Sequence, residues 1–176
     1  MIFSVTREIG IDAGHRIMTH GSKCRHLHGH RYQIEATAEA RHLHDQGVQT
    51  GMVIDFSFLK DEMLAEIDSP CDHGFIACCD DTDLLALFAP ADAEPDIWLT
   101  ALRHEARALG YASPVRCRLD TKLYVIPGQP TAETLARHWF ERLAPRVTAR
   151  SDGLATLTAI TVRETPNCRA EYRPRG

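Results

Sequence analysis

The sequence contains no apolar run that approaches the roughly 20 residues of a membrane-spanning helix. It also contains no run of Lys or Arg, and 20 basic against 24 acidic residues give a formal net charge of −4. The charge therefore gives no indication of a nucleic-acid-binding surface. The first residues lack the basic segment and the long apolar core of a signal peptide, so we expect a cytoplasmic protein.

No Cys-x-x-Cys pair occurs among the six cysteines, and two of them, Cys78 and Cys79, are adjacent. A structural zinc knuckle is therefore disfavoured, and without a secretion signal reduced thiols are favoured over disulfides. An apolar content of 44% in 176 residues is enough for a sizeable core, which predicts one domain over residues 1–176. Ten histidines, several of them near the N-terminus, are the unusual part of the composition.

Two stretches alternate between apolar and polar residues, which is the pattern of a half-buried strand. In residues 2–17 the apolar side chains lie mostly at odd positions, and His15 shares that parity. In the second stretch, which runs on from Tyr32, the apolar side chains lie at even positions, and His28 and His30 share that parity. If the second strand extends back to His28, its two imidazoles lie one pleat repeat apart on the same face. We therefore expect all three histidines to face the interior.

The rest of the chain predicts further strands and helices, and hence an α+β domain with a mainly antiparallel sheet. Helices with apolar residues three or four apart are predicted after Asp55, over 96–109 and after Thr131. Strands are predicted over 123–126, 154–164 and 169–172. Residues 71–74 read as a loop. An irregular or helical insert follows at about 78–121, in which Asp80-Asp81-Thr82-Asp83 is expected to cap a short helix.

The three inward histidines predict a metal site. Neutral imidazole is the commonest nitrogen ligand of zinc, and a catalytic zinc keeps three protein ligands and one open position. His15, His28 and His30 supply such a set from two strands. The competing interpretation is that a His-x-His pair is common and usually binds nothing. The shared parity of the third histidine favours the metal, and His20 and His26 are spare candidates.

Two positions are candidates for proton transfer. Three roles are open for Cys24. It is a fourth zinc ligand that makes the site structural, a nucleophile or base whose thiolate is favoured by Lys23 and Arg25, or a buried inert cysteine. The flanking cations argue against the last role, and spacing alone does not separate the other two. Asp72-His73 has the composition of a carboxylate that fixes a histidine tautomer. Adjacent side chains rarely pair in this way, so a plain polar loop is the alternative.

Glu164 is a candidate for ligand binding. It ends a strand on the parity of Ile160 and Val162, which predicts a carboxylate inside a pocket. A buried carboxylate needs paired donors, and a ligand with a flat N–H/NH₂ edge supplies them in bidentate geometry. The alternative is a surface ion pair with Arg163 or Arg169.

Short segments that contain these residues occur in one order over about residues 3–172. They are Ala13-Gly14-His15-Arg16-Ile17, Cys24-x-x-x-His28-Gly29-His30, Gly51-Met52-Val53-Ile54-Asp55-Phe56 with Leu59-Lys60, Asp72-His73, Pro130-Thr131-Ala132-Glu133-x-Leu135-Ala136 and Val162-x-Glu164-Thr165. In this order they resemble the family of 6-pyruvoyl-tetrahydropterin and 6-carboxy-tetrahydropterin synthases. Each segment is weak by itself, whereas the ordered set is specific.

The resemblance implies a fold and a set of site residues. The fold is the tunnelling fold (T-fold), an antiparallel four-stranded sheet with helices on one face, here with the extra insert. Its sheets join into barrels in a trimer or a dimer of trimers, with active sites between subunits. The implied roles are zinc (Zn²⁺) binding by His15, His28 and His30, proton transfer by Cys24 with Asp72 and His73, and pterin binding by Glu164, Thr131 and Glu133.

The resemblance also implies a reaction. The spacing of Cys24 from His-Gly-His is similar to that of the bacterial carboxy-forming enzymes, which convert 7,8-dihydroneopterin triphosphate to 6-carboxy-5,6,7,8-tetrahydropterin for queuosine and 7-deazaguanine synthesis. A 6-pyruvoyl-type or dihydroneopterin-cleaving lyase is the alternative, and a non-catalytic zinc- or pterin-binding module is a second. The sequence departs from the family pattern in its long insert and in Gln129 and Thr134, where asparagine is usual.

Overall fold

A computed structural model of the protein describes residues 1–175 and contains one mixed sheet of six strands. The strands are β1 (Phe3–His15), β2 (His28–Ala40), β3 (Gly74–Cys78), β4 (Lys122–Ile126), β5 (Thr156–Thr165) and β6 (Cys168–Tyr172). The helices are α1 (Phe56–Met63), α2 (Ser69–Cys71), α3 (Thr82–Phe88), α4 (Pro95–Leu109) and α5 (Ala132–Arg150), with a π-helical turn, Leu64–Asp68, between α1 and α2. None of the helices within residues 1–175 combines the length and the apolar character that a membrane span requires.

The order of strands in the sheet is β4-β3-β1-β2-β5-β6. The pairs β1–β2, β2–β5 and β5–β6 are antiparallel, whereas β1–β3 and β3–β4 are parallel. The prediction of a four-stranded antiparallel sheet is therefore wrong in strand number and in direction. The residues of β3 and β4 are mostly apolar without alternation, as is typical of parallel strands that are covered on both faces, and so β3 gave no strand signal.

Helices cover both faces of β3 and β4. On one face Ile76 and Tyr124 belong to the main core beneath α1 and α5. On the other face Ala77, Leu123 and Val125 form a second cluster with residues of α3 and α4. The prediction of helices on one face only is wrong for this part of the sheet, because the insert supplies two helices whose apolar sides need the opposite face.

The helix predictions are confirmed. The Asp55 carboxylate accepts a hydrogen bond from the Ser57 amide at 2.6 Å and caps α1. Thr131 caps α5 in the same way through the Thr134 amide. Helix α4 ends at Gly110, whose φ of +83° is the left-handed conformation that glycine adopts without strain.

Strands β1 and β2 form a long hairpin that determines where the functional residues lie. Their register runs from Phe3 opposite Ala40 to His15 opposite His28. Residues 16–27 connect the two strands and are closed by a 2.8 Å hydrogen bond from the Ile17 amide to the Cys24 carbonyl. The end of one strand and the start of the next therefore place their side chains at one site.

Candidate metal centre and cavity

Three imidazoles converge at the open end of the hairpin. His15, His28 and His30 each offer a nitrogen, and these three atoms lie within 4.8 Å of one another. The Nε2 atoms of His15 and His28 are 3.1 Å apart. His15 is only 2% exposed, while the other two are partly exposed. The arrangement brings together the three residues that the shared parity singled out.

Glycine lets the two strands approach at this point. Gly14 pairs with Gly29 across the hairpin, between the histidine positions. A Cβ atom on Gly29 would lie 2.9 Å from the Ala13 carbonyl oxygen, closer than side-chain carbons are found in practice. Gly29 therefore keeps β1 and β2 close enough for the imidazoles of both strands to meet.

Hydrogen bonds to backbone carbonyl oxygens fix the tautomers of two of the histidines. Nδ1 of His15 lies 2.8 Å from the Pro130 carbonyl oxygen, and Nδ1 of His28 lies 2.8 Å from the His26 carbonyl oxygen. A carbonyl oxygen only accepts, so both Nδ1 atoms carry the proton and both Nε2 atoms carry a lone pair. A backbone carbonyl on the far nitrogen is the usual support of a metal-bound histidine.

The electrostatics of the cluster favour a metal ion over a proton. Burial, reinforced by the neighbouring charges of His28 and His30, lowers the pKa of His15 to about 4. Burial, followed by the charge of His28, also lowers the pKa of His30. Two Nε2 lone pairs at 3.1 Å repel each other unless a cation accepts them, and protonation of His15 is disfavoured at neutral pH. The residues present fit a metal ion bound by three neutral imidazoles.

A cavity of about 350 Å³ opens beside His15. It is large enough for a small molecule, and its wall comes from the hairpin connection, the start of α5 and the β5–β6 turn. The residues that line it are His15, Ile17, His20, Cys24, Thr131, Ala132, Glu133, Glu164, Cys168, Arg169 and Ala170. The structure therefore brings Cys24, Thr131, Glu133 and Glu164 to the cavity that is also lined by His15 of the histidine cluster.

Glu164 turns toward this cavity at a β-bulge. Arg163 pairs with Arg169 and Thr165 pairs with Cys168, so Glu164 is the extra residue of β5 and has no partner in β6. Within residues 1–175 its carboxylate makes no hydrogen bond or ion pair, and Arg163 pairs with Glu35 instead. Burial and then the charge of Glu133 raise the pKa of Glu164. A half-buried carboxylate without protein donors is available to a ligand.

Cys24 lines the cavity but does not belong to the histidine cluster. It is the middle residue of a 3₁₀ turn, Lys23–Arg25, and is half-buried with a free thiol. The cluster of nitrogens within residues 1–175 consists of the three histidines and does not include the Cys24 sulfur. Of the roles considered for this thiol, the geometry is compatible with a group that acts beside the metal.

Asp72 and His73 do form a side-chain pair, but away from the cavity. The Asp72 carboxylate accepts from Nδ1 of His73 at 2.8 Å and from the Asp12 amide at 2.8 Å. The Asp12 amide, together with the hydrogen bond from His73, holds the pKa of Asp72 below its usual range. The His73 side chain is 79% exposed, and neither residue lines the cavity that contains Cys24.

Two contributors to the site were missed from the sequence. The carbonyl of Pro130 orients His15, although it lies 115 residues away in the chain, so no local spacing could reveal it. Tyr32 forms the floor of the site, with its ring 5.8 Å from that of His15 and 5.5 Å from that of His30. Its hydroxyl is buried without a partner in residues 1–175. The parity that Tyr32 shares with His28 and His30 was the available signal.

The fold and the site define a class of protein: an α+β domain with a three-imidazole cluster beside a small-molecule cavity. A family model described as 6-pyruvoyl tetrahydropterin synthase matches residues 4–175. The 6-carboxy-5,6,7,8-tetrahydropterin synthase of Rickettsia conorii is 31% identical over 166 residues, which cover 94% of this chain and 96% of that protein. The enzyme of the same name from Haemophilus influenzae is 30% identical over 172 residues, covering 98% and 99%.

Solved structures agree on the fold. An uncharacterized protein from Wolinella succinogenes aligns with a TM-score of 0.69 at 23% identity and covers 99% of each chain. The 6-pyruvoyltetrahydropterin synthase of Plasmodium vivax aligns with a TM-score of 0.61 at 17% identity, covering 99% of this chain and 98% of that one. The chain belongs to the 6-pyruvoyl tetrahydropterin synthase family, as its ordered motifs indicated. Its fold is, broadly, the T-fold that the resemblance implied.

Proposed function

We propose that this protein is a zinc-dependent lyase that converts 7,8-dihydroneopterin triphosphate to 6-carboxy-5,6,7,8-tetrahydropterin. Triphosphate and acetaldehyde are released, and the product enters queuosine and 7-deazaguanine synthesis. The observation that carries the proposal is the single cavity shared by His15, Cys24 and the unpaired Glu164. The names of the relatives from Rickettsia and Haemophilus support the same activity.

Glu164 would bind the pterin ring. The amino-pyrimidinone edge of a pterin presents an N–H and an NH₂ side by side, which match the two oxygens of a carboxylate in bidentate geometry. The absence of protein donors to Glu164 within residues 1–175 leaves both oxygens for this purpose. Thr131 and Glu133, at the start of α5, line the same cavity and would hold the rest of the ligand.

The histidine cluster would hold the zinc ion. Three imidazole nitrogens with one open position are the usual ligand set of a catalytic zinc, which polarises the oxygen atoms of a bound substrate. His15, the most buried ligand, is oriented by Pro130, and His28 by the carbonyl of His26. Because these hydrogen bonds fix the tautomer and the orientation of each ring, the Nε2 atoms would point at the metal without rearrangement.

Cys24, Asp72 and His73 would move protons. Cys24 faces the cavity beside the metal cluster and is the one thiol with a half-buried position there. Asp72 accepts from Nδ1 of His73, which leaves Nε2 of His73 as the acid–base nitrogen. Because this pair lies outside the cavity of its own chain, we propose that it completes the site of a neighbouring subunit in a trimer or a dimer of trimers.

The test is a product assay with dihydroneopterin triphosphate and the zinc-loaded protein. We expect equal amounts of acetaldehyde and 6-carboxy-tetrahydropterin, measured by hydrazone derivatisation and by chromatography. Glu164→Gln exchanges one carboxylate oxygen for an NH₂ donor that faces the pterin's own donors, so its KM should rise by about tenfold or more. A pyruvoyl-tetrahydropterin product without acetaldehyde would refute the proposed reaction.

A second candidate is the 6-pyruvoyl-forming reaction, which is favoured by the description of the matching family model. It starts from the same substrate and also releases triphosphate, but the side chain is retained rather than cleaved. A dihydroneopterin-cleaving relative would release its aldehyde from the unphosphorylated substrate. If the zinc-loaded protein turns over none of these compounds, the remaining reading is a non-catalytic zinc- or pterin-binding module.

A further inference from the structure

The residues on either side of His15 are both linked to helix α3 of the insert, Gly14 through Phe75 of β3 and Arg16 through the residue that caps the helix. Gly14 lies against the ring of Phe75, and a Cβ atom on Gly14 would be 2.6 Å from that ring. The Phe75 ring in turn packs against Phe88 of α3, with ring centroids 5.5 Å apart. Arg16 reaches Asp81, the residue that caps the same helix. Helix α3 is therefore linked to the chain just before the buried histidine through Phe75, and just after it through its cap residue Asp81.

The contact between Arg16 and Asp81 is a two-point ion pair between a partly exposed guanidinium and a buried carboxylate. Nε of Arg16 donates to Oδ2 of Asp81 at 2.6 Å, and Nη2 donates to Oδ1. Asp81 is 3% exposed, and the same carboxylate accepts from the Leu84 amide at the start of α3. A buried carboxylate needs a cation in good geometry, and the planar guanidinium provides it along one edge. The pair fixes the position of Arg16 relative to the helix.

This pair stands at the start of the segment that carries Cys24. Residues 16–27 follow β1, and within residues 1–175 the segment makes few other hydrogen bonds to the rest of the chain. The Ile17 amide bonds to the Cys24 carbonyl within the segment itself, and the Met18 amide donates to the Gln129 side chain at 3.1 Å. A shift of Arg16 would therefore move the end of β1, including His15, and the turn that holds Cys24.

We propose that Arg16 and Asp81 are positioning residues through which helix α3 of the insert holds His15 and the Cys24 segment in register with the metal site. This inference rests on the proposed metal centre. It gives the insert a role in the reaction, because its helix cap is one end of the contact. Neither residue lines the cavity, so neither touches the ligand directly.

The test compares zinc affinity among variants of the full-length protein. Arg16→Gln removes the cation, and Asp81→Asn removes the charge while asparagine remains a good helix cap. We expect the Kd for Zn²⁺, measured by competition with a chromophoric chelator, to rise about ten- to a hundredfold in each. Arg16→Lys keeps one charged contact and should lie between them and the wild type. The double variant should bind zinc no more weakly than the worse single variant.

The control is Arg116→Gln, which breaks the exposed ion pair with Asp92 inside the same insert and should leave zinc affinity unchanged. Circular dichroism and the thermal midpoint, recorded for the metal-free variants, separate misfolding from a displaced ligand. A lower midpoint with a Kd within twofold of the wild type in both Arg16→Gln and Arg16→Lys would overturn the inference and leave the metal site intact. If the wild-type protein itself binds no zinc, the proposed function fails together with it.

Discussion

The sheet consists of two different halves that meet at β1. On one side, the long antiparallel strands β1, β2 and β5 bury mainly one face against α1 and α5. On the other side, the short parallel strands β3 and β4 are buried on both faces. All three candidate metal ligands belong to the antiparallel half, at the end of β1 and the start of β2.

The two halves of the sheet therefore differ in role: the antiparallel half supplies the candidate metal ligands, and the parallel half supports them. Side chains that must reach a ligand need an edge or a strand end that is open, and the hairpin of β1 and β2 provides one. The parallel half has no such opening, since α3 and α4 cover its second face. Beside the histidine cluster it contributes a fixed wall, which contacts Gly14 of β1 through Phe75 and Arg16, the residue after β1, through Asp81. The proposed proton-transfer pair, Asp72 and His73, lies directly before β3.

The largest effect is expected at the hairpin. His28→Ala removes a partly exposed ligand without emptying the core, so the fold should persist while zinc binding is lost. We expect the zinc content after dialysis, measured by plasma mass spectrometry, to fall from about one ion per chain to near zero. His26→Ala, two residues upstream and exposed, keeps the backbone carbonyl that orients His28 and should retain the metal. Equal zinc contents in the two variants would contradict the assignment of the cluster.

A smaller effect, confined to turnover, is expected for the thiol. Cys24→Ala should keep zinc and lower kcat by about 10²- to 10⁴-fold, the range for loss of a positioned acid or base. Cys168→Ala is the matched control, since Cys168 lines the same cavity but is exposed at the start of β6. We expect its kcat to stay within a few-fold of the wild type. Loss of zinc in Cys24→Ala would show instead that the thiol is a ligand.

The two halves also differ in how far the sequence predicted them. Alternation placed His15, His28 and His30 on one face, and the T-fold resemblance implied the same set. Alternation is informative here because a strand with one buried and one open face alternates between apolar and polar residues. Strand β3 was missed since residues buried on both faces do not alternate. The missing period, rather than a weak β propensity, hid β3, whereas the short apolar run before Pro127-Gly128 did predict β4.

The pairing of Asp72 with His73 illustrates a second limit. Neighbouring side chains normally diverge, so adjacency in the sequence does not by itself predict a hydrogen bond between them. His73 has a φ of +55°, a conformation that is uncommon outside glycine and that changes the direction of its side chain. The Asp12 amide and carbonyl hold both residues of the pair. A contact that depends on backbone conformation and on a strand 60 residues earlier has no signature in local spacing.

A test of the doubly buried half compares two leucines. Leu123→Ala on β4 should lower the free energy of unfolding by about 2–5 kcal/mol, as for any large-to-small change in a packed core. Leu157→Ala on β5 is the counterpart in the antiparallel half, and both side chains are at most 1% exposed. Urea denaturation should give costs of the same size. A cost below about 1 kcal/mol for Leu123→Ala alone would show that the insert packs loosely on the sheet.

The smallest effect is expected where α5 meets β4, from His138. Its Nε2 lies 2.7 Å from the Tyr124 hydroxyl, and burial, followed by the charge of Arg142, lowers its pKa from 6.5 to about 4. The folded pKa lies below the unfolded value, so the unfolded chain takes up the proton first as the pH falls. The stability that this group contributes is complete above pH 6.5 and is lost progressively toward pH 4, by about 3 kcal/mol at most.

His138→Gln retains a polar partner for Tyr124 and does not titrate. The slope of unfolding free energy against pH between 6.5 and 4 should therefore become shallower by up to about 1.4 kcal/mol per pH unit, in urea melts of the metal-free protein. His104→Gln, which is exposed on α4, should leave the slope unchanged. If both variants keep the wild-type slope, the junction of α5 and β4 admits the proton, and the parallel half is less closed than its two covered faces imply.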